Sequence, residues 1–159
     1  MFHKIKHLLL ILALIAGLYA CVKKKTYSQK PEIEFKEFIP YADESGDMVI
    51  RFSDGDGDIG KTQDDQTNNL FTTYYYFDTV IGAFRAFYSA TLLDTVRTPY
   101  KIRKPIDDYN GKPISGEVAV EMNLYRPDPS HKRIKYVMYV VDNANNVSNI
   151  LTTPELQVP

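Results

Sequence analysis

The stretch G-E-V-A-V-E-M-N-L, residues 116–124, alternates along its length between two kinds of side chain. One kind is apolar (Val118, Val120, Met122 and Leu124), and the other is mainly polar (Glu117, Ala119, Glu121 and Asn123). A period of two places the apolar side chains on one face of an extended chain, which is typical of a β-strand that covers a core. This stretch therefore predicts a sheet protein.

Further strands are predicted on both sides of it. Residues 134–141 (I-K-Y-V-M-Y-V-V) predict a buried central strand, and residues 70–77 are rich in the Thr, Tyr and Phe residues that favour sheets. Turn-forming residues separate the other predicted strands, which are residues 33–40, 48–52, 84–93, 96–102 and 149–158. No segment after residue 21 keeps a helical period over ten residues.

Seven or eight short strands within residues 32–159 predict an all-β fold, an immunoglobulin-like β-sandwich. The chain has one Cys and no Trp, so it lacks the Cys–Trp–Cys core of antibody domains. A fibronectin-III-like variant is therefore the closer comparison. Tyr136, near the start of the penultimate strand, is the candidate for the tyrosine corner of such domains.

Residues 1–20 predict a secretion signal peptide that is not part of the fold. Lys4 and Lys6 precede an apolar run, residues 8–18, that is too short to span a bilayer. The segment L-Y-A-C, residues 18–21, resembles the lipobox of bacterial lipoproteins. The resemblance implies that Cys21 carries the lipid and that the signal is cleaved before it. The alternative is that Cys21 lies beside an ordinary cleavage site or in an N-terminal anchor helix.

Removal of the signal changes the charge of the chain. The remaining 139 residues carry 17 basic and 20 acidic side chains, so the formal net charge moves from −1 to −3. This balance gives no general attraction for nucleic acid. Residues 21–31 predict a lipidated Cys followed by a flexible tether. By analogy with known sorting rules, Val22 favours the outer membrane, and the basic run after it favours a periplasm-facing position over the cell surface.

The most distinctive motif is F-S-D-G-D-G-D-I-G, residues 52–60. It places Asp54, Asp56 and Asp58 at alternate positions, and these like charges repel one another unless a cation or solvent screens them. Glycines between them let the backbone curl, which is how oxygen cages for Ca²⁺ are built. The alternative is a tight Asp-Gly turn without metal, and the two readings are equally supported.

Counting from Asp54 as the first position of an EF-hand loop puts Asp65 at the twelfth, so Asp65 is a further candidate ligand. The loop is not an EF-hand, because Ile59 occupies the sixth position, where such loops need Gly, and because strands flank it. The prediction is a calcium loop between two strands.

A second polar turn, residues 142–148 (D-N-A-N-N-V-S), favours a simple hairpin turn by its composition. In a seven-strand sandwich, however, the loop after the second strand and the loop between the last two strands lie at the same end. Asp142 or Asn143 is therefore placed near the Asp-Gly motif, and Asp142 is a further candidate metal ligand. The connection 104–113, with Asp107 and Asp108, is a possible third contributor.

The Asp-Gly motif, downstream of a lipobox, resembles a group of Bacteroidota cell-envelope lipoproteins of unknown function that have an Ig-like domain. The segments P-I-S-G-E-V (113–118) and V-D-N-A-N-N-V-S-N (141–149) are similar to the same group. The resemblance covers most of residues 21–159. It implies location and fold, and it implies no activity.

The chain has few residues that could act in an enzyme mechanism. His131 is the single histidine after residue 20, and its surroundings, D-P-S-H, predict an exposed turn. A Ser–His–Asp site or a zinc site therefore lacks residues, and no phosphate loop or dinucleotide motif is present. The sequence predicts a protein that is not an enzyme.

Aromatic residues offer a binding surface instead. Tyr74, Tyr76 and Tyr88 are candidates for stacking on a sugar or burying in a partner protein, with ordinary sheet packing as the alternative. The leading hypothesis is a membrane-anchored structural or protein-interaction role in the cell envelope. The second hypothesis is a glycan-binding accessory lipoprotein of an outer-membrane uptake system.

Overall fold

The structure, a computed structural model, describes residues 27–91, 93–104 and 111–159. The predicted signal peptide, Cys21, the start of the tether, Asp107 and Asp108 lie outside these residues. The part of the chain that is described forms strands, turns and bends without any helix. It accordingly has no helix with the length and apolar character needed to cross a membrane. The all-β prediction is confirmed.

Eleven strands are formed within the described residues. In chain order they are β1 (Glu32–Pro40), β2 (Gly46–Asp54), β3 (Leu70–Asp78), β4 (Ala83–Ala86), β5 (Tyr88–Ser89), β6 (Asp94–Thr95), β7 (Arg97–Tyr100), β8 (Ile114–Met122), β9 (Arg133–Val140), β10 (Leu151–Thr152) and β11 (Leu156–Gln157). Three of them form an antiparallel sheet in the order β1-β2-β8. The register of β1 against β2 shifts between Phe35 and Glu37.

The second sheet has the order β10-β9-β3-β4, with β11 also paired to β9 and β7 also paired to β3. The strands β5 and β6 form a small separate hairpin. Each sheet turns one face to a common core, as the two-residue period requires. The three-stranded sheet contributes Ile33, Met48, Ile50, Val120 and Met122, and the six-stranded sheet contributes Leu70, Tyr74, Ile134, Tyr136, Met138 and Val140.

Two predicted strands are broken in the structure, which is why the number of strands exceeds the expected seven or eight. The predicted strand 84–93 ends at Ala86 as β4, and the chain then enters the β5–β6 hairpin. The predicted strand 149–158 is interrupted at Pro154, because proline cannot donate a ladder hydrogen bond. Between its two halves, Thr153 is buried and accepts a hydrogen bond on Oγ1 from the Tyr136 amide, at 3.0 Å.

Leu124 does not face the core as its alternation predicted, because β8 ends at Met122. The Leu124 side chain is 59% exposed, and the next residue, Tyr125, is buried instead. The carbonyl of Tyr125 then accepts a hydrogen bond from the hydroxyl of Tyr136, in the strand that follows. This is the bond expected of a tyrosine corner, made here to a carbonyl in the connection from β8 to β9.

The Tyr136→Phe variant should be less stable than the parent protein by roughly 1–3 kcal/mol, because it leaves a buried carbonyl without its partner. Urea unfolding of both proteins measures the difference in the free energy of unfolding. Tyr139→Phe is the matched control, since Tyr139 lies on the outer face of the same strand. Equal losses in the two variants would contradict a structural role for the Tyr136 hydroxyl.

Candidate metal centre

The first half of the site is the loop that follows β2. Asp54, the last residue of β2, is fully buried, and its Oδ2 accepts hydrogen bonds from the amides of Asp58 at 2.8 Å and Ile59 at 3.0 Å. These bonds curl the loop back over the end of the strand. Gly57 has a φ of 70°, a left-handed conformation that glycine adopts without steric cost. The Asp-Gly motif is thus a tight turn folded around the Asp54 carboxylate.

The second half is the turn after β9. Asp142 is buried, and its two carboxylate oxygens accept hydrogen bonds from Asn146: one from the backbone amide at 2.7 Å and one from the side-chain amide at 2.9 Å. Asn145 has a φ of 66°, which Asn tolerates better than most residues. The hairpin composition of this segment therefore does produce a turn, and the turn holds Asp142 in one orientation.

Asn143 joins the two halves. Its backbone amide donates to the carbonyl of Asp58 at 3.3 Å, its side-chain amide donates to the carbonyl of Gly60 at 3.0 Å, and its Oδ1 accepts from Lys61 Nζ at 2.7 Å. The predicted meeting of the two loops at one end of the molecule is therefore observed. The connection 104–113 also reaches this end, because the amide of Gly111 donates to the carbonyl of Asp56 at 2.6 Å.

Four carboxylates converge where these loops meet. One oxygen from each of Asp54, Asp56, Asp58 and Asp142 lies within 4.8 Å of the others. Within the described part of the chain, three buried side-chain oxygens or nitrogens have no hydrogen-bond partner, and they are the Oδ1 atoms of Asp54, Asp56 and Asp58. A buried polar atom without a partner costs about 1–3 kcal/mol, so three such atoms at one point need an explanation.

The pKa values of two of these aspartates also favour a bound cation. Burial raises the pKa of Asp54 to about 6, with further contributions from a hydrogen bond to Asp56 and from its charge. Burial also raises the pKa of Asp58, and the charges of Asp142 and Asp56 add to the effect. The charged forms of Asp54 and Asp58 are therefore disfavoured in this setting, and a bound cation would reverse that. The cluster can hold a metal ion through oxygen ligands.

At the opposite end of the sandwich, a buried charge is neutralised by an ion pair. Arg126 is 3% exposed, and its guanidinium donates two hydrogen bonds to the carboxylate of Glu44, at 2.5 and 2.6 Å. This bidentate pair satisfies both groups. Beside the aspartates, the side chain of Lys61 donates to Asn143 and lies 3.8 Å from Asp65.

Asp65 lies outside the group of converging carboxylates. Its Oδ1 accepts hydrogen bonds from the amide and the hydroxyl of Thr67, at 2.8 and 2.6 Å, and its Oδ2 is 3.8 Å from Lys61 Nζ. The EF-hand spacing does not apply because the loop is held by Asp54 at its start and then leaves the site. The sequence placed Asn143 near the Asp-Gly motif, and it did not identify Asn146, whose amides hold the Asp142 carboxylate.

The three tyrosines of the predicted binding surface do not lie on one surface. Tyr74 is 4% exposed and belongs to the core, so it is not available for stacking on a ligand. Tyr76 is half-buried and stacks on the ring of His131, with 3.9 Å between centroids, and Tyr88 is 55% exposed. The alternation along β3 places Tyr74 inward. The rings on its outer face are Phe71, Tyr75 and Phe77.

His131 is not the exposed turn residue that its neighbours in sequence predicted. Its ring lies against Tyr76, and its Nδ1 shares a hydrogen bond of 3.0 Å with the hydroxyl of Tyr74. Burial lowers the pKa of His131, and Arg126 adds to this. Asp128, 3.9 Å away, opposes it. The sequence missed this packing because Tyr74 and Tyr76 are distant from His131 along the chain.

Comparisons of the chain with protein-family models, with curated proteins and with solved structures found no match.

The His131→Gln variant tests the environment of the imidazole. The unfolded chain binds a proton near pH 6.5, and the folded domain binds it only at lower pH, so the stability that wild type derives from neutral His131 falls as pH drops below about 6.5. Urea unfolding between pH 5 and 8 should show the difference in stability between wild type and variant shrinking with acidification. The carboxylates are the same in wild type and variant, so their titration cancels in the difference in stability. A difference that grows on acidification would contradict the packing.

Proposed function

We propose that this chain is the precursor of a lipid-anchored, non-enzymatic lipoprotein of a bacterial outer membrane. Its domain is a Ca²⁺-stabilised Ig-like sandwich with a structural or protein-interaction role in the periplasm-facing cell envelope. The anchor is argued from Cys21 and its lipobox, and the envelope location from the sorting rules and the Bacteroidota resemblance. The observation that carries the calcium site is the cluster of four carboxylates, three of which have a buried oxygen without a hydrogen-bond partner.

The strand order supports the Ig-like identity. With β1, β2 and β8 taken as strands A, B and E, and β3, β9 and β10 as C, F and G, the two sheets have the orders A-B-E and G-F-C. These are the neighbours found in immunoglobulin-type sandwiches. The strand β4 then continues the second sheet beside C. The hydroxyl of Tyr136, at the start of strand F, supplies the tyrosine-corner bond.

The ligand set favours Ca²⁺ over other common cations. All four side chains offer carboxylate oxygens, which are hard ligands, and neither histidine nor cysteine belongs to the group. Zinc sites in proteins use those two residues in most cases. Magnesium usually keeps several waters and binds through one or two carboxylates, whereas Ca²⁺ accepts six to eight oxygens in flexible geometry. A cluster of four carboxylates fits calcium better.

Structural use of the ion follows from where the ligands come from. Asp54, Asp56 and Asp58 belong to the connection between the two sheets, and Asp142 follows the central strand β9. An ion held by all four would fasten the connection to the second sheet. The carboxylates are already bound into their own loops through the amides of Asp58, Ile59 and Asn146, which suits a structural site more than a reacting one.

Thermal melts of the metal-stripped protein test the calcium site. We expect millimolar Ca²⁺ to raise the Tm relative to a chelator, because a ligand that binds only the folded state stabilises it, by about 2.7 kcal/mol at a concentration 100 times Kd. Asp56→Asn should lose this shift. Asp65→Asn is the matched control and should keep it, since Asp65 bonds Thr67 outside the cluster. Identical wild-type melts with Ca²⁺ and with chelator would contradict the calcium site and would indicate an Asp-Gly turn without metal.

A second candidate function, glycan binding beside an outer-membrane uptake system, has one observation in its favour. The outer face of the six-stranded sheet carries half-buried aromatic rings with two cations over them. Arg133 lies 3.7 Å from the ring centre of Phe77, and Lys135 lies 4.3 Å from that of Phe84. Tyr75, two residues before Phe77 on the same face of β3, lies opposite Lys135 in the sheet. Rings and cations together suit an acidic sugar.

A glycan array probed with the protein measures glycan binding directly. If the second candidate function is correct, the protein binds uronic-acid or sulfated glycans, and the Tyr75→Ala variant binds them at least tenfold more weakly. Tyr88→Ala is the control, because Tyr88 lies in the separate β5–β6 hairpin. Absence of binding to every acidic glycan would remove the candidate.

A further inference from the structure

The segment that precedes β1 lies across the metal loop. The backbone amide of Gly55 donates a hydrogen bond to the carbonyl of Ser28, at 2.7 Å. The hydroxyl of Tyr27 is 2.8 Å from the hydroxyl of Ser115 on β8, and Pro31 is buried. Residues 27–31, which the sequence assigned to a flexible tether, are therefore held by defined contacts at the end of the sandwich that carries the four aspartates.

Gly55, between two of the aspartates, is required by this contact. A Cβ atom at position 55 would lie 2.6 Å from the carbonyl oxygen of Ser28 and 2.7 Å from that of Tyr27. Such distances are too short for real Cβ contacts, so any larger residue would displace the segment. The backbone of Gly55 is not in the left-handed region, so alanine is compatible with the loop itself. The glycine serves the close approach of the two chains.

The start of β1, which follows the segment, is held by the chain after the Asp142 turn. The side chain of Asn149 accepts a hydrogen bond from the amide of Ile33 at 2.8 Å and donates one to the carbonyl of Ile33 at 2.9 Å. Asn149 directly follows the polar turn, residues 142–148. The connection after β2 thus contacts residues 27–31, and the chain after Asp142 contacts the strand into which that segment leads.

We propose that the metal-loaded loop is the docking site for the chain's own membrane-proximal segment, residues 27–31, so that Ca²⁺ binding sets the length of the free tether. The inference rests on the proposed calcium site. Without the cation, Asp54, Asp56 and Asp58 repel one another, and the loop loses the shape in which Gly55 presents its amide to Ser28. With the cation, the loop is fixed and the segment docks.

Docking changes how far the domain can move from the membrane. Five residues, 22–26, separate Cys21 from Tyr27, and an extended chain covers at most about 3.6 Å per residue, or about 18 Å in total. Release of residues 27–31 adds five residues to the chain between Cys21 and the domain and raises the greatest possible reach to about 36 Å. Calcium therefore keeps the domain close to the bilayer, with its metal-bearing end towards the anchor.

Hydrogen exchange measured by mass spectrometry on the lipidated mature protein in nanodiscs tests this inference. The probe is Ca²⁺ alone, compared with chelator. We expect the amide of residue 55, which donates to the carbonyl of Ser28, to exchange at least tenfold more slowly in Ca²⁺. Gly55→Ala should lose this protection while keeping the Ca²⁺-dependent rise in Tm, because it removes the contact and no metal ligand. Gly116→Ala should keep both, since a Cβ there meets only Phe52 at 3.6 Å.

The possible failures are distinguishable. A Tm that does not respond to Ca²⁺ would overturn the calcium site and the docking with it. A Tm that rises while the amide of residue 55 exchanges equally fast in Ca²⁺ and in chelator would overturn the docking alone. Protection retained in Gly55→Ala would also overturn it, because the amide would then be protected by something other than the contact with Ser28.

Discussion

Mutual repulsion among four carboxylates is the constraint on which this end of the molecule depends. The connection from β2 to β3 carries the chain from one sheet to the other, and the turn after β9 closes the central strand of the second sheet. The structure brings both to one point and places aspartates from each there. A fold that joins its sheets through a concentration of like charge needs something to neutralise it.

The surrounding hydrogen bonds indicate what that neutralising group is. The loops satisfy one carboxylate oxygen of Asp54 and both of Asp142 with amides, and Asn143 ties the loops together. The oxygens left over are the Oδ1 atoms of Asp54, Asp56 and Asp58, three of the four residues whose carboxylates lie within 4.8 Å of one another. At the other end of the sandwich, the carboxylate of Glu44 is neutralised by a side-chain cation, the guanidinium of Arg126. The contrast favours a bound ion as the missing partner of the aspartates.

Much of the fold could be predicted from the sequence because alternation records which face of a strand is buried. It succeeded for β9 and for Val118, Val120 and Met122 of β8, while turn residues and composition identified β2 and β3. It failed for residues 84–93, where apolar residues are frequent and do not alternate. The grouping of Asp142 with the Asp-Gly motif followed from the order of strands in a sandwich. Asp65 was included by counting residues, and counting assumes a loop shape that belongs to helix-flanked sites.

Other features could not be predicted because contacts between distant segments decide them. The burial of Tyr74 and the stacking of His131 depend on strand pairing and on a turn 57 residues away. The docking of residues 27–31 uses backbone groups and the absence of a Cβ at Gly55, and composition does not reveal either. These are also the features that connect the metal centre to the rest of the chain.

The most direct test of the central claim is the position of the ion itself. Crystals grown in millimolar Ca²⁺, measured at a long wavelength for anomalous scattering, should show one peak within the cluster. We predict that it lies about 2.3–2.6 Å from the Oδ1 atoms of Asp54, Asp56 and Asp58, with Asp142 as a further ligand. A cluster without a peak, with its carboxylates hydrogen-bonded to water, would contradict the claim.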